Sequence, residues 1–326
     1  MEKRLRSKSP QTGHSLKAES SRIYRELDSI DLGILRILLV NSGVPPGLPV
    51  LRKSFRSIAK DLGVDQGTVR MRMKRFRELG VLKGWYLGVS PSLRGHNVCT
   101  GWLGVHEEAD KGAAASALLS APEVERVCIY FGPRISLVAL LPQGADPDFT
   151  LKLLASRVPM GGALHKMGFV QVPPRFLKDT DASIIQVLRD DPWRPFPEVA
   201  SIVGVSTKTV GRRVAKLSEE GAIYMLPVID LKALVGAIPI ELVVEYVDPA
   251  SRTKVNESIA SHLGKRLIFS NPSAPFGYFA MMVPSLAVME ELSSWVKQQA
   301  GVQGARMDAL HDVILNHRYY HNGRME

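Results

Sequence analysis

The sequence predicts an α+β chain in which two helix-turn-helix units alternate with two βαββαβ units. Three observations carry this: an internal repeat, a Gly-centred turn between amphipathic helices in each copy, and the strand and helix order that follows it. The stretch "GVDQGTVRMRMKRFRELGVL" at 63–82 returns as "GVSTKTVGRRVAKLSEEGAI" at 204–223, at a constant offset of 141. Upstream, "LDSIDLGILRIL" (27–38) returns as "LKDTDASIIQVL" (177–188) at an offset of 150. The nine extra residues of the first copy therefore fall in "NSGVPPGLPVLRKS" (41–54), where Pro and Gly mark a loop. Near the end of each copy, "LVALLP" (137–142) lines up with "FAMMVP" (279–284).

Composition narrows the class. With 326 residues and 45% hydrophobic content, the chain has enough apolar surface for more than one core. Its longest apolar runs fall well short of the roughly 20 residues that span a bilayer, and the N-terminus lacks the apolar core of a signal peptide. No membrane partner and a cytoplasmic location are expected. Cys99 and Cys128, the two cysteines, have no CxxC spacing, so reduced buried thiols are expected rather than a disulfide or a zinc site. The net charge of +10 favours a polyanionic partner. Between 52 and 83 ten basic residues face three acids, whereas from 178 to 221 seven face seven. Residues 1–24 read as a basic disordered tail.

Within each repeat the elements follow from local chemistry. Ile34, Leu35 and Leu38 give a short amphipathic helix, with Asp28 and Asp31 at its start, where the helix dipole favours acids. Phe55, Ile58, Ala59 and Leu62 give a second, which ends at Gly63. Asp65 caps a third helix whose apolar stripe is Val69, Met73 and Phe76; Ser206 does the same for Val210, Val214 and Leu217. At 100° per residue, Arg70, Met71, Lys74 and Arg75 lie away from that stripe, as do Gly211, Arg212, Ala215 and Lys216 in the second copy. A helix of this width fits the DNA major groove, where Arg and Lys bond guanine and other cations reach phosphates. The residues expected to contact double-stranded DNA are Gln66, Thr68, Arg70, Met71, Arg72, Lys74 and Arg75, and in the second copy Thr207, Lys208, Thr209, Arg212, Arg213 and Lys216.

The β-prone runs "GVLKGWYLGVS" and "GAIYMLPVID" then read as wings, with Lys83, Trp85 and Tyr86 placed either to touch the DNA backbone or to pack in the core. Residues 97–172 and 238–315 each give βαββαβ, a ferredoxin-like sandwich. Helices cover one face of such a sheet, so its other apolar face needs a partner.

Together, LDxxDxxILxxL, a helix-turn-helix with GVSxxTVxxRVxxLxxxGxI, a wing and a βαββαβ unit resemble the Lrp/AsnC (feast/famine) transcription regulators, here in tandem. The resemblance implies winged helix-turn-helix domains over 25–90 and 175–230, and RAM-type domains over 95–173 and 235–318. It implies a bacterial or archaeal sequence-specific regulator that is not an enzyme and needs no cofactor. RAM domains would pair within the chain or in a homo-oligomer, with a small-molecule effector between them. Amino-acid-sensing relatives carry an acid at the hairpin between the second and third strands. Residues 127–145 and 267–289 contain none, which argues against an amino acid as the effector.

A second resemblance is to sirohaem decarboxylases, built on the same fold in paired halves with an HNYxR pattern. This chain offers Tyr130 and Arg134 there but no His, and "RLIFSNPS" in the second copy offers neither His nor Tyr. His317 and His321 stand at a helix-compatible metal spacing but in a terminal stretch that reads as a solvated tail.

Overall fold

The computed structural model describes residues 26–40, 54–105, 107–159, 161–271 and 276–316. The basic tail, the loop at 41–53, His317 and His321 lie outside them.

The first helix-turn-helix is α1 (Ser29–Val40), α2 (Phe55–Leu62) and α3 (Gln66–Glu78), followed by β1 (Leu82–Val89). The first βαββαβ domain is β2 (His96–Gly104), α4 (Glu108–Leu119), β3 (Val124–Tyr130), β4 (Arg134–Pro142), α5 (Pro147–Ala155) and β5 (His165–Val170). The second copy repeats the order with α6 (Asp179–Asp190), α7 (Phe196–Val203), α8 (Thr207–Glu219) and β6 (Ile223–Ile229). It continues with β7 (Ile238–Tyr246), α9 (Ser251–Leu263), β8 (Leu267–Ser270), β9 (Gly277–Val283), α10 (Leu286–Lys297) and β10 (Val302–Leu315).

The wings take a form the sequence did not reveal. The single strand after each recognition helix pairs with its counterpart from the other copy, so β1 and β6 make one antiparallel ribbon in which Trp85 faces Pro227 and Gly88 faces Tyr224. Trp85 and Tyr86 are buried, and the Trp85 ring meets Trp193 edge-on at 5.6 Å. Packing rather than DNA contact therefore occupies both aromatic residues. Lys83 reaches Asp230, 3.2 Å away at the far end of the ribbon. Around this ribbon a single apolar cluster runs from Ile34, Val69 and Phe76 of the first unit to Ile184, Val210 and Val214 of the second. The two units share a core and do not sit as separate beads.

The two βαββαβ domains also merge. Their strands form one sheet in the order β5-β2-β4-β3-β10-β7-β9-β8. The joint is β10, whose residues Val302–Ala309 pair with β7 while Leu310–Leu315 pair with β3. Asn316 fastens the end of β10 to the first domain, its Nδ2 donating to the carbonyls of Val124 (2.8 Å) and Leu119 (2.9 Å). The sheet turns back on itself, because a Cβ on Gly168 of β5 would lie 3.0 Å from the Phe276 ring beside β9. The two halves thus join within the chain edge to edge, through β10. Each half keeps its own apolar core under its helices, around Leu103, Val127 and Leu137 in the first and Ile240, Ile259 and Phe279 in the second.

Duplication does not make the halves equivalent. The edge of β3 is covered by β10, but its counterpart β8 ends the sheet and is met instead by α1, whose Arg36 Nε donates to the Leu267 carbonyl at 2.9 Å. A side chain thus satisfies an acceptor on a sheet edge that would otherwise invite further strands.

Candidate nucleic-acid interface

Both recognition helices begin as the sequence requires. Asp65 accepts the Thr68 amide at 2.8 Å and Ser206 accepts the Thr209 amide at 3.1 Å, each satisfying a donor the helix cannot. The turn before each cap depends on a glycine in the left-handed region, Gly63 (φ 67°) and Gly204 (φ 75°), where a side chain would be strained. Hydrogen bonds from the Thr68 hydroxyl and amide hold the Asp65 carboxyl below the usual carboxylate value. The hydroxyls of Thr68 and Thr209 are both engaged with their capping residues.

The inward face is apolar: Val69, Met73 and Phe76, and in α8 Val210, Val214 and Leu217, are all buried. On the outward face of α3 the structure brings together Gln66, Arg70, Met71 and Lys74, all exposed; on α8 it brings together Thr207, Lys208, Arg212 and Lys216. Lys74 and Lys216 each lie 3.7 Å from an acid one turn on, Glu78 and Glu220, in exposed pairs of small energetic weight.

Three of the expected contacts lie elsewhere. Arg72 and Arg75 turn toward α1, where Asp31, with no exposed surface, accepts from Arg72 Nη1 at 3.0 Å and Arg75 Nη1 at 3.1 Å. Arg72 also sits 2.7 Å from Asp28. Burial pushes the Asp28 carboxyl up, but the Asp31 amide and the Arg72 guanidinium prevail and hold it below the ordinary value. The second copy repeats the arrangement with Arg213 and Asp181 at 3.4 Å. These arginines fix the recognition helix against the first helix of its unit. The helical-wheel angle for Arg75 is right, but a long side chain can travel back to a buried carboxylate from the edge of the polar face. A signal was present in the repeat, since both copies keep the Asp and Arg at corresponding places.

A second polar cluster lies where the sheet halves meet. Glu241 of β7 accepts the hydroxyls of Tyr278 (2.6 Å) and Tyr130, and Tyr130 also meets Ser136 at 2.8 Å. Burial, and then the Glu241 charge, push both tyrosines well above their ordinary value. Arg134 pairs with Asp308 of β10 and lies 4.7 Å over the Trp102 ring, which stacks on His165. Tyr130 and Arg134, the residues this chain offers near the sirohaem-decarboxylase pattern, thus tie one half of the sheet to the other. The acids at this junction come from β7 and β10 and not from the hairpins.

Comparison with known proteins agrees with the helix-turn-helix geometry. The description of the AsnC-type helix-turn-helix domain matches twice, at 27–77 and 177–218. The HTH-type transcriptional regulator Ptr1 of Methanocaldococcus jannaschii is 44% identical over 72 residues, 22% of this chain and 43% of that protein. FL11 of Pyrococcus furiosus, also an HTH-type transcriptional regulator, is 33% identical over 101 residues, covering 31% and 61%. The regulatory protein AsnC of Escherichia coli is 29% identical over 99 residues, covering 30% and 59%. The chain spans about half the length of the curated relatives it matches. Among solved structures, E. coli AsnC aligns with TM-score 0.33 and 15% identity over 47% of this chain and 97% of that one. The siroheme decarboxylase NirDL aligns with TM-score 0.49 and 14% identity over 88% and 93%. Both helix-turn-helix units of the fold match the AsnC-type helix-turn-helix domain, which the chain carries in tandem.

Proposed function

We propose that this chain is a sequence-specific, double-stranded-DNA-binding regulator of transcription that acts in the cytoplasm, without a cofactor and without catalysis. The observation that carries the reading is the pair of capped recognition helices, α3 and α8, with exposed cations facing outward and a shared ribbon behind them. Arg70 and Lys74 of α3, and Lys208, Arg212 and Lys216 of α8, are the base and phosphate contacts; Gln66, Met71 and Thr207 lie on the same faces to read base edges and thymine methyls. Arg72, Arg75 and Arg213 serve as positioning residues through Asp31 and Asp181.

One chain thereby presents two reading heads of different composition, and its operator need not be palindromic. Fluorescence anisotropy against mixed-sequence duplex and a fragment of the protein's own promoter, each titrated with salt, tests this. Neutralising about six phosphates gives a log-log slope near −5, with tighter binding to the promoter. Weak, salt-insensitive binding to both duplexes would overturn the proposal. On this reading the locked Tyr130 and Arg134 take no macrocycle, and added sirohaem leaves its absorbance unchanged.

A further inference from the structure

A cavity of about 650 Å³ lies where α1 meets the second βαββαβ domain, a volume typical of small-molecule sites. Its wall is mainly hydrocarbon: Ile30 and Ile37 from α1, Leu62 from the end of α2, Ile268 from β8 and Met282 from β9. Arg36, Lys265 and Arg266 also line it, against the single acid Asp61. An apolar body with cations on its border fits an amphipathic anion. Among the described residues the first half lacks the same setting, because the edge of β3, which corresponds to β8, is taken by β10.

We propose that this cavity binds a small monocarboxylate with an apolar tail or ring. The carboxylate sits among Arg36, Lys265 and Arg266, and the hydrocarbon lies against Ile30, Ile37, Leu62, Ile268 and Met282. Occupancy bridges α1 to β8. Since α1 also carries Asp31, which grips Arg72 and Arg75 of α3, the bridge fixes the first recognition helix relative to the joined sheet. This regulatory consequence rests on the DNA-binding reading; the binding site does not.

Isothermal titration of the full chain with octanoate tests the site, with 1-octanol and acetate as probes lacking the charge or the tail. The expected result is octanoate binding with a Kd of about 0.1–1 mM, and binding of either control at least about tenfold weaker. The double variant Lys265→Glu/Arg266→Glu, which changes two exposed residues, loses at least about tenfold in octanoate affinity while its unfolding midpoint stays in place. No heat with octanoate to about 5 mM, equal binding of octanol, or an unchanged affinity in the double variant would each overturn the proposal. Adding octanoate to the DNA anisotropy assay separates the two readings. A chain that binds octanoate but no DNA keeps the site and loses the regulator; one that binds DNA but not octanoate does the reverse.

Discussion

Asp31 Oδ2 lies 3.0 Å from Arg72 Nη1, across 41 residues of chain, and accepts from Arg75 Nη1 as well, at 3.1 Å. The carboxylate is fully buried, so removing it takes from Arg72 and Arg75 the buried acceptor they share, while Arg72 keeps Asp28 at 2.7 Å. Losing one partner of a buried ion pair typically costs about 3–5 kcal/mol. Asp31→Ala is therefore expected to lower stability by about that much in urea unfolding. Asp181→Ala, which loses one arginine contact at 3.4 Å in a more exposed setting, costs less. Equal losses at the two sites would show that Arg75 contributes nothing to the first.

Gly88 faces Tyr224 in the β1–β6 ribbon, and a Cβ there would lie 2.0 Å from the Tyr224 ring. That distance is far inside van der Waals contact, and the ring is buried with no slack to retreat. Gly88→Val is expected to destabilise by about 3 kcal/mol, the upper range for overpacking. The double variant Gly88→Val/Tyr224→Ala recovers part of the loss by making room. No recovery would mean that the glycine is needed for backbone reasons and not for the ring.

Alkaline pH should unfold this protein earlier than composition alone suggests. Burial pushes the Cys99 thiol up to about 11 and the Cys128 thiol up to about 12. It also pushes Tyr86, Tyr130, Tyr224 and Tyr278 above the ordinary phenol value. A group whose folded pKa is raised contributes stability in full below its unfolded pKa, and that stability is lost as pH rises through the folded value. With unfolded values near about 8.5 for Cys and about 10 for Tyr, the decline begins near about pH 8.5 and steepens above about pH 10. Circular dichroism and phenolate absorbance followed together check this: the four tyrosines should ionise with unfolding, not before it. Native thiols should also resist a disulfide reagent at pH 8, where on the order of one in a thousand Cys99 side chains is thiolate.

The elements legible in the sequence were those fixed by nearby residues. Asp65 and Ser206 cap helices three residues away, Gly63 and Gly204 bend the chain where they stand, and the stripe of Val69, Met73 and Phe76 declares its own buried face. What escaped was the choice of distant partner. "LKGWYLGV" is recognisably a strand, but nothing in its pattern says that it pairs with β6 of the other copy. The 14 residues of β10 read as one strand and serve two neighbours in succession. Asp31 looked like a helix-dipole acid because its arginines lie a whole helix-turn-helix away. Pairing between strands and between charges is non-local, and local chemistry leaves it open.

That correction changes which variants can test DNA binding. Replacing Arg70, Lys74 and Arg75 together would confuse lost phosphate contacts with lost folding, because Arg75 holds Asp31. Arg70→Ala/Lys74→Ala removes two exposed cations and leaves the Asp31 pair intact. Each lost phosphate contact reduces the salt slope by about 0.9, so this variant should flatten it by nearly 2 while its unfolding midpoint stays in place. A double change of exposed cations in the second copy, Lys208→Ala/Lys216→Ala, should flatten it less. Seven acids balance seven cations there, against three acids and ten cations in the first copy. Arg70 has no counterpart in α8, where Gly211 stands in its place, and Arg212 stands where α3 has the apolar, 60%-exposed Met71. The two heads should then prefer different half-sites. Exchanging Met71→Arg in α3 should weaken binding to the half-site read by α3 and leave the other unchanged, as footprinting would register; a symmetric loss would mean that the heads read alike.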